Sequence, residues 1–251
     1  MAGHSKWANI KHKKQASDAR RGKVFTKLAK ELTVAAKLGG SDEASNPRLK
    51  AAIIKAKAAN MPKDNIERAV KKGAGELEGI NYEEITYEAY APGGIALIIE
   101  CMTDKKSRTL PEVKNILTKA AGNLAENGAV SYLFEHKGLI LVGGEDTNED
   151  ELLEMVLEAG GEDLEADENN VFAVKTAKEQ FHAVLSALQP LVEARGWNVV
   201  ESELRYIPQA NIEVAADVGK AVLKLVENLE NHDDVQTVSF NLELGDWAEE
   251  S

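Results

Sequence analysis

Lys6, Lys11, Lys13 and Lys14 surround Trp7 in the opening residues, with His12 among them and Arg20 and Arg21 a short step further on. Asp18 is the one acid in that stretch. Ammonium groups suit phosphate oxygens and a flat indole suits an unstacked base, so this mixture carries the chemistry of a nucleic-acid contact. No apolar periodicity runs through residues 1–21. Such a segment cannot offset the entropy of ordering it, and it is expected to be a flexible basic tail. The plainer alternative keeps the lysines as solvated charge and docks Trp7 on the protein body.

The charge of the whole chain sharpens that reading. The 251 residues carry a net charge of −12, yet residues 1–72 hold 18 lysines and arginines against 6 acids, a net of +12. The remainder therefore carries −24. A polyanion would be drawn to one end of the molecule and repelled by the other. The length predicts two or three domains, and 43% hydrophobic residues are enough for real cores. The single cysteine, Cys101, excludes an internal disulfide framework and fits a small core side chain in a reducing compartment. No apolar run has the length of a membrane span, and no secretory signal pattern opens the chain, so a cytoplasmic protein without membrane contact is expected.

The elements that would position these cations are helical. Val24, Phe25, Leu28, Leu32, Ala35 and Leu38 share one stripe of a helix over 18–40, with Arg20, Lys23, Lys27 and Lys30 on the adjoining arc. That arc predicts a cationic rail, although solvated lysines on a surface helix would look the same. Asn46-Pro47 starts a second helix with inner residues Leu49, Ile53 and Ala56, and Pro62 disfavours its continuation. A third, over 63–72, buries Ile66 and Val70.

Four stretches carry a resemblance. GHSKWANIKHKKQASDARRGKVFTKL, NPRLKAAIIKAKAANMPKDNIERAVKKG, and YEAYAPGGIALIIECMTDKKSRT with GNLAENGAVSYLFE resemble the YebC family through essentially the whole chain. Its bacterial members are usually described as transcriptional regulators, and its mitochondrial relatives as translational activators of a cytochrome oxidase subunit. Ala89, Ala91, Ala121 and Ala125 stand where the family pattern suggests glycine. The resemblance implies three domains, with a ferredoxin-like domain inserted in the second.

The residues themselves point the same way. After residue 79 the period becomes strand-like: strands over 82–91 and 95–103 joined by Pro92-Gly93-Gly94, a helix to 119, then a strand over 130–136. Lys105, Lys106 and Arg108 precede that helix as a secondary candidate for phosphate contact. From 139 the order reads βαββαβ, a complete ferredoxin-like unit ending near 203. A strand over 204–214, a helix over 217–231 and a strand over 235–244 follow. The expected fold is thus multidomain α and α+β: tail 1–21, helical domain 22–79, middle α+β domain 80–137 plus 204–245, and an inserted ferredoxin-like domain 138–203.

Catalytic and metal chemistry lack a signature. His4, His12, His136, His182 and His232 have no ligand spacing, and no phosphate loop, dinucleotide fingerprint or nucleophile elbow appears. Asp163, Glu165 and Asp167 begin like a calcium loop, but Glu168 stands where glycine is needed and Val174 where an acid is needed. The expectation is therefore no metal, no cofactor and no catalysis. Acidic clusters at 145–151, 162–168 and 227–234 read as solvated faces, or as surfaces for basic protein partners. The expected function is nucleic-acid binding in control of gene expression. The resemblance favours DNA and transcription. A disordered basic tail and the lack of a recognition-helix signature suit ribosomal RNA and translation equally well. A hydrolase built on paired carboxylates is the third reading, and no spacing supports it.

Overall fold

The computed structural model describes residues 18–144, 146–167 and 170–248. Helix α1 (Asp18–Gly39), α2 (Pro47–Ala58) and α3 (Lys63–Gly73) pack around Leu32, Leu49, Ile53, Ala56, Met61 and Ile66. Asn46 fixes the turn between the first two. Its side chain accepts from the Leu49 N–H at 3.0 Å and donates to the carbonyls of Ala35 and Gly40, both at 2.8 Å. Such a cap satisfies an amide that the helix leaves open. Gly73 lets α3 lie against α1: a Cβ there would stand 2.2 Å from the Thr33 carbonyl oxygen.

The chain then builds an antiparallel sheet from β1 (Glu83–Tyr90), β2 (Ala96–Thr103), β3 (Asn123–Leu124) and, much later, β8 (Val235–Phe240). The order is β3-β1-β2-β8. Helices α4 (Lys106–Lys119) and α7 (Ala216–Glu230) cover one face, where Leu97, Ile99, Cys101, Val113, Leu117, Val222 and Leu225 are buried. Strand β8 pairs with β2, Leu97 opposite Phe240, so the two halves of this unit close across the intervening sequence. On the other face Glu88 is buried and accepts from the N–H groups of Gly128, Val130 and Ser131 at 2.6–2.9 Å, anchoring the loop before the next sheet.

That second sheet comprises β4 (Phe134–Gly143), β5 (Asp163–Asp167), β6 (Val171–Ala177) and β7 (Asn198–Pro208) in the order β5-β6-β4-β7. Helices α5 (Glu149–Glu158) and α6 (Phe181–Ala194) cover one face over Ile140, Val142, Leu152, Val174, Leu188 and Trp197. All its neighbouring strands run antiparallel.

Two expected boundaries differ. The strands expected on either side of residue 138 are one strand, β4, and those expected on either side of residue 203 are one strand, β7. They pair continuously enough to carry the ladder from Phe134–Pro208 to Gly143–Asn198, with one bulge. Gly138 reads as a stop because glycine often ends an element. Here it permits a close approach: a Cβ would stand 2.2 Å from Thr176 Oγ1 and 2.4 Å from the Phe181 ring. The last expected strand also ends early, at Phe240, and residues 212 and 242 meet in a single parallel bridge.

Candidate nucleic-acid interface

Lys6, Trp7, Lys11, His12, Lys13 and Lys14 lie outside the described residues. Arg20 and Arg21 belong to the first turns of α1. Of the lysines that follow on α1, Lys23 is exposed, Lys27 half-buried and Lys30 buried, and all three bond groups of the protein body. Lys23 donates to the Asn231 carbonyl at 2.9 Å and Lys27 to the Glu230 carbonyl at 2.8 Å, both at the C-terminus of α7. The last carbonyls of a helix point away from its body, and the negative end of the helix dipole favours a cation beside them. Lys30, one turn on, is only 6% exposed. It donates to the Asp233 carbonyl at 2.7 Å, the Met102 carbonyl at 3.2 Å and Asp234 Oδ1 at 2.6 Å. The spacing that predicts a rail is real, but this rail clasps the helical unit to the first sheet.

Asp234 is the centre of the clasp. It is buried, and besides Lys30 it accepts from Arg108 at 2.7 Å, Thr109 at 2.8 Å and Thr103 at 3.2 Å. Burial pushes its carboxyl up, but the bonds from Arg108, Lys30 and Thr109 outweigh that and hold it well below the usual carboxylate range. Arg108 also pairs with Asp104 at 2.8 Å, and Lys106 pairs with Glu83 at 2.7 Å. Of the secondary phosphate candidates, Lys105 is exposed with its backbone N–H on Thr103 Oγ1. A second link joins Arg48 of α2 to Glu31 of α1 at 2.8 Å and to Glu84 of β1 at 2.7 Å.

Glu112, His232 and Asp234 approach one another closely enough to suggest a metal triad. The donor set is already occupied. His232 Nε2 bonds Glu112 at 2.8 Å, its Nδ1 accepts from the Asp234 N–H at 3.1 Å, and the Asp234 carboxylate accepts from four side chains. The three residues form part of the clasp.

The cations turned outward lie on the other two helices. Lys50 and Lys57 of α2, and Arg68, Lys71 and Lys72 of α3, are exposed and make no ion pair among the described residues. Their signal was in the sequence. Lys50 and Lys57 are seven apart and Arg68 and Lys72 four apart, so each pair shares a face opposite the buried residues. Arg68 and Lys72 border a groove of 280 Å³ floored in part by Phe25 and Tyr82.

A basic three-helix unit docked on two antiparallel sheets, each covered by helices on one face, defines a multidomain mixed α/β protein. Among the described residues no helix is long and apolar enough to cross a membrane. Two family models match: the TACO1/YebC protein N-terminal domain over residues 5–76 and the TACO1/YebC second and third domain over 82–242. A "probable transcriptional regulatory protein" of Leptospira biflexa is 53% identical over 250 residues, covering 99% of each chain. One of Treponema denticola is 50% identical over 249 residues with the same coverage. A crystal structure of a conserved hypothetical protein from Aquifex aeolicus superposes with a TM-score of 0.84 at 45% identity, covering 96% of this chain and 98% of that one. The chain belongs to the TACO1/YebC family.

Proposed function

We propose that this protein is a non-enzymatic, cytoplasmic, nucleic-acid-binding regulator of gene expression whose contact end is the basic N-terminal third. The observation that carries the reading is the outward face of α2 and α3. Lys50, Lys57, Arg68, Lys71 and Lys72 stand there without ion pairs among the described residues, while the chain beyond residue 72 carries −24. Uncompensated lysines bind phosphate without regard to sequence, and the acidic body fixes which end approaches the polyanion. The names of the relatives favour DNA and transcription as the setting. The groove that sets Arg68 and Lys72 beside Phe25 and Tyr82 favours a second reading. Cations beside aromatic rings suit unstacked bases, and therefore ribosomal RNA in a translation factor.

The sheet over 134–208 supports taking that segment as a ferredoxin-like domain inserted in a middle α+β domain, somewhat longer than the sequence suggests. On the face turned away from its helices Leu139, Leu141 and Ala173 are buried, with Lys175 paired to Glu165 and Asp163 beside them.

Copurification separates the two settings. Enriched DNA fragments at low salt, released at high salt, fit the transcriptional reading; ribosomal RNA in the pelleted fraction fits the translational one. Replacing Lys50, Lys57, Lys71 and Lys72 together by alanine should flatten the dependence of affinity on salt. Each lost phosphate contact lowers the log–log slope by about 0.7–0.9. An unchanged slope and affinity would remove this face from the interface.

A further inference from the structure

A cleft of 370 Å³ opens where the helical unit and the two sheets meet, within the range of about 300–1,000 Å³ usual for small-molecule sites. Three of the residues that line it each hold a buried nitrogen with no hydrogen-bond partner among the described residues: His136 Nε2, His182 Nδ1 and Gln236 Nε2. Buried polar atoms are satisfied in the great majority of cases, so three in one cleft call for an explanation. The backbone supplies a second sign. Thr237 of β8 faces Glu100 and Val235 faces Cys101, which leaves Gln236 as the extra residue of a bulge. Bulges re-aim side chains and are common beside binding sites. Here Gln236 and Thr237 both line the cleft, with Glu100 opposite.

The charges around the cleft define what fits it. Arg48 is matched by Glu31 and Glu84, Arg205 by Glu203, and Lys27 caps α7. Lys55 and Lys178 line the cleft and make no ion pair among the described residues. The interior is close to neutral. Burial first, then Lys178, lowers the His136 pKa, and burial first, then Arg48, lowers that of His182. His136 also stacks on Tyr206 with ring centroids 4.2 Å apart. A simple anion would meet Glu100 and Glu203 on the wall. A ligand with a planar, neutral body of adjacent donors and acceptors could hydrogen-bond to those walls, with an anionic group at one end directed to Lys55 and Lys178.

We propose that this cleft is a nucleotide-binding site, in which the Gln236 amide and the Glu100 carboxyl read the edge of a base while Lys55 and Lys178 hold the phosphate. The nucleotide is either a free mononucleotide or one unpaired residue of a strand; the recognition chemistry is the same. The site does not rest on the phosphate-binding face of α2 and α3, since Lys50, Lys57, Arg68, Lys71 and Lys72 lie outside the cleft.

The full chain, labelled with nitrogen-15 in glutamine side chains and carbon-13 in histidine rings, reports occupancy directly by nuclear magnetic resonance. AMP, GMP, CMP, UMP, inorganic phosphate and a short single-stranded oligonucleotide are the probes. At least one mononucleotide or the oligonucleotide should shift the Gln236 amide and the His136 and His182 ring signals saturably. A response to mononucleotides identifies a free ligand, and a response to the oligonucleotide alone identifies a residue of a strand. Lys178→Ala, on the surface, and Gln236→Leu, with its melting temperature checked, should each weaken the response about tenfold. The proposal is overturned if no nucleotide moves these signals, or if inorganic phosphate reproduces the whole response. Binding of the oligonucleotide without movement at Gln236 overturns the cleft site while leaving the α2–α3 interface standing.

Discussion

Glu100 sits on the cleft side of β2, with Glu203, Arg205, Glu84 and Lys178 as its charged neighbours from the surrounding strands and the turn before α6. Burial, reinforced by Glu203, raises its pKa from 4.5 to about 7, against the opposing pull of Arg205. Between those values the unfolded chain releases the proton and the folded chain retains it. The folded state therefore loses stability as pH rises from 4.5 to 7, and is then flat. Glu100→Gln removes the titration. The variant should gain on the order of 2–3 kcal/mol relative to wild type between pH 4.5 and pH 8, read from denaturant midpoints at the two pH values. Parallel pH profiles for the two proteins would show that Glu100 ionises as freely folded as unfolded. A lone acid inside the apolar run Ile95–Met102 was visible in the sequence. The other residues of its cleft were not, because Gln236, His136 and His182 come from three other elements and gather only in the fold.

Helix α4 ends in a left-handed residue. Gly122 N–H bonds the Leu117 carbonyl at 2.9 Å and Ala121 N–H the Thr118 carbonyl at 3.2 Å, the paired bonds of a Schellman turn, with Ala121 at φ 57°. Glycine is the residue that adopts this backbone without penalty, and alanine carries the strain of its Cβ. Ala121→Gly should therefore raise stability by about 1 kcal/mol, after the larger unfolded-state entropy of glycine is set against the relief. A thermal midpoint equal to or below wild type would show that the turn is relaxed with alanine. Several helix ends were legible in the sequence because capping residues and apolar period are local signals. Gly138 was not, since only the packed Thr176 and Phe181 show that its missing side chain is a matter of space and not of chain reversal. The same limit explains Lys23, Lys27 and Lys30: spacing placed them on one face, and only tertiary structure shows what that face meets.

At the scale of the whole molecule, the separation of charge was plain in the sequence, but its use was only half legible. Some of the basic third faces outward, and some of it holds the molecule together. The Lys30–Asp234 pair joins α1 to the segment before β8 in a site almost closed to water, with side chains 7% and 4% exposed. Removing one partner leaves the other charge buried and costs about 3–5 kcal/mol, toward the lower end here because Arg108, Thr109 and Thr103 remain on Asp234. Lys30→Met should accordingly loosen the helical unit from the first sheet while leaving the second sheet intact. Acid should do the same to the wild type. Because the Asp234 pKa is depressed in the folded state, its contribution is fully present above the ordinary aspartate value and is lost progressively as pH falls from there through the depressed folded value. Amide hydrogen exchange reads both effects: protection should fall in α1 and at residues 231–235 in Lys30→Met near neutral pH, and progressively in the wild type as pH is lowered from the ordinary aspartate value through the depressed folded one, with β4 and β6 unchanged. Uniform loss across all three units would mean that the clasp stabilises a single cooperative fold. Unchanged protection in α1 would mean that Arg48, bridging Glu31 and Glu84, suffices to hold the helical unit in place.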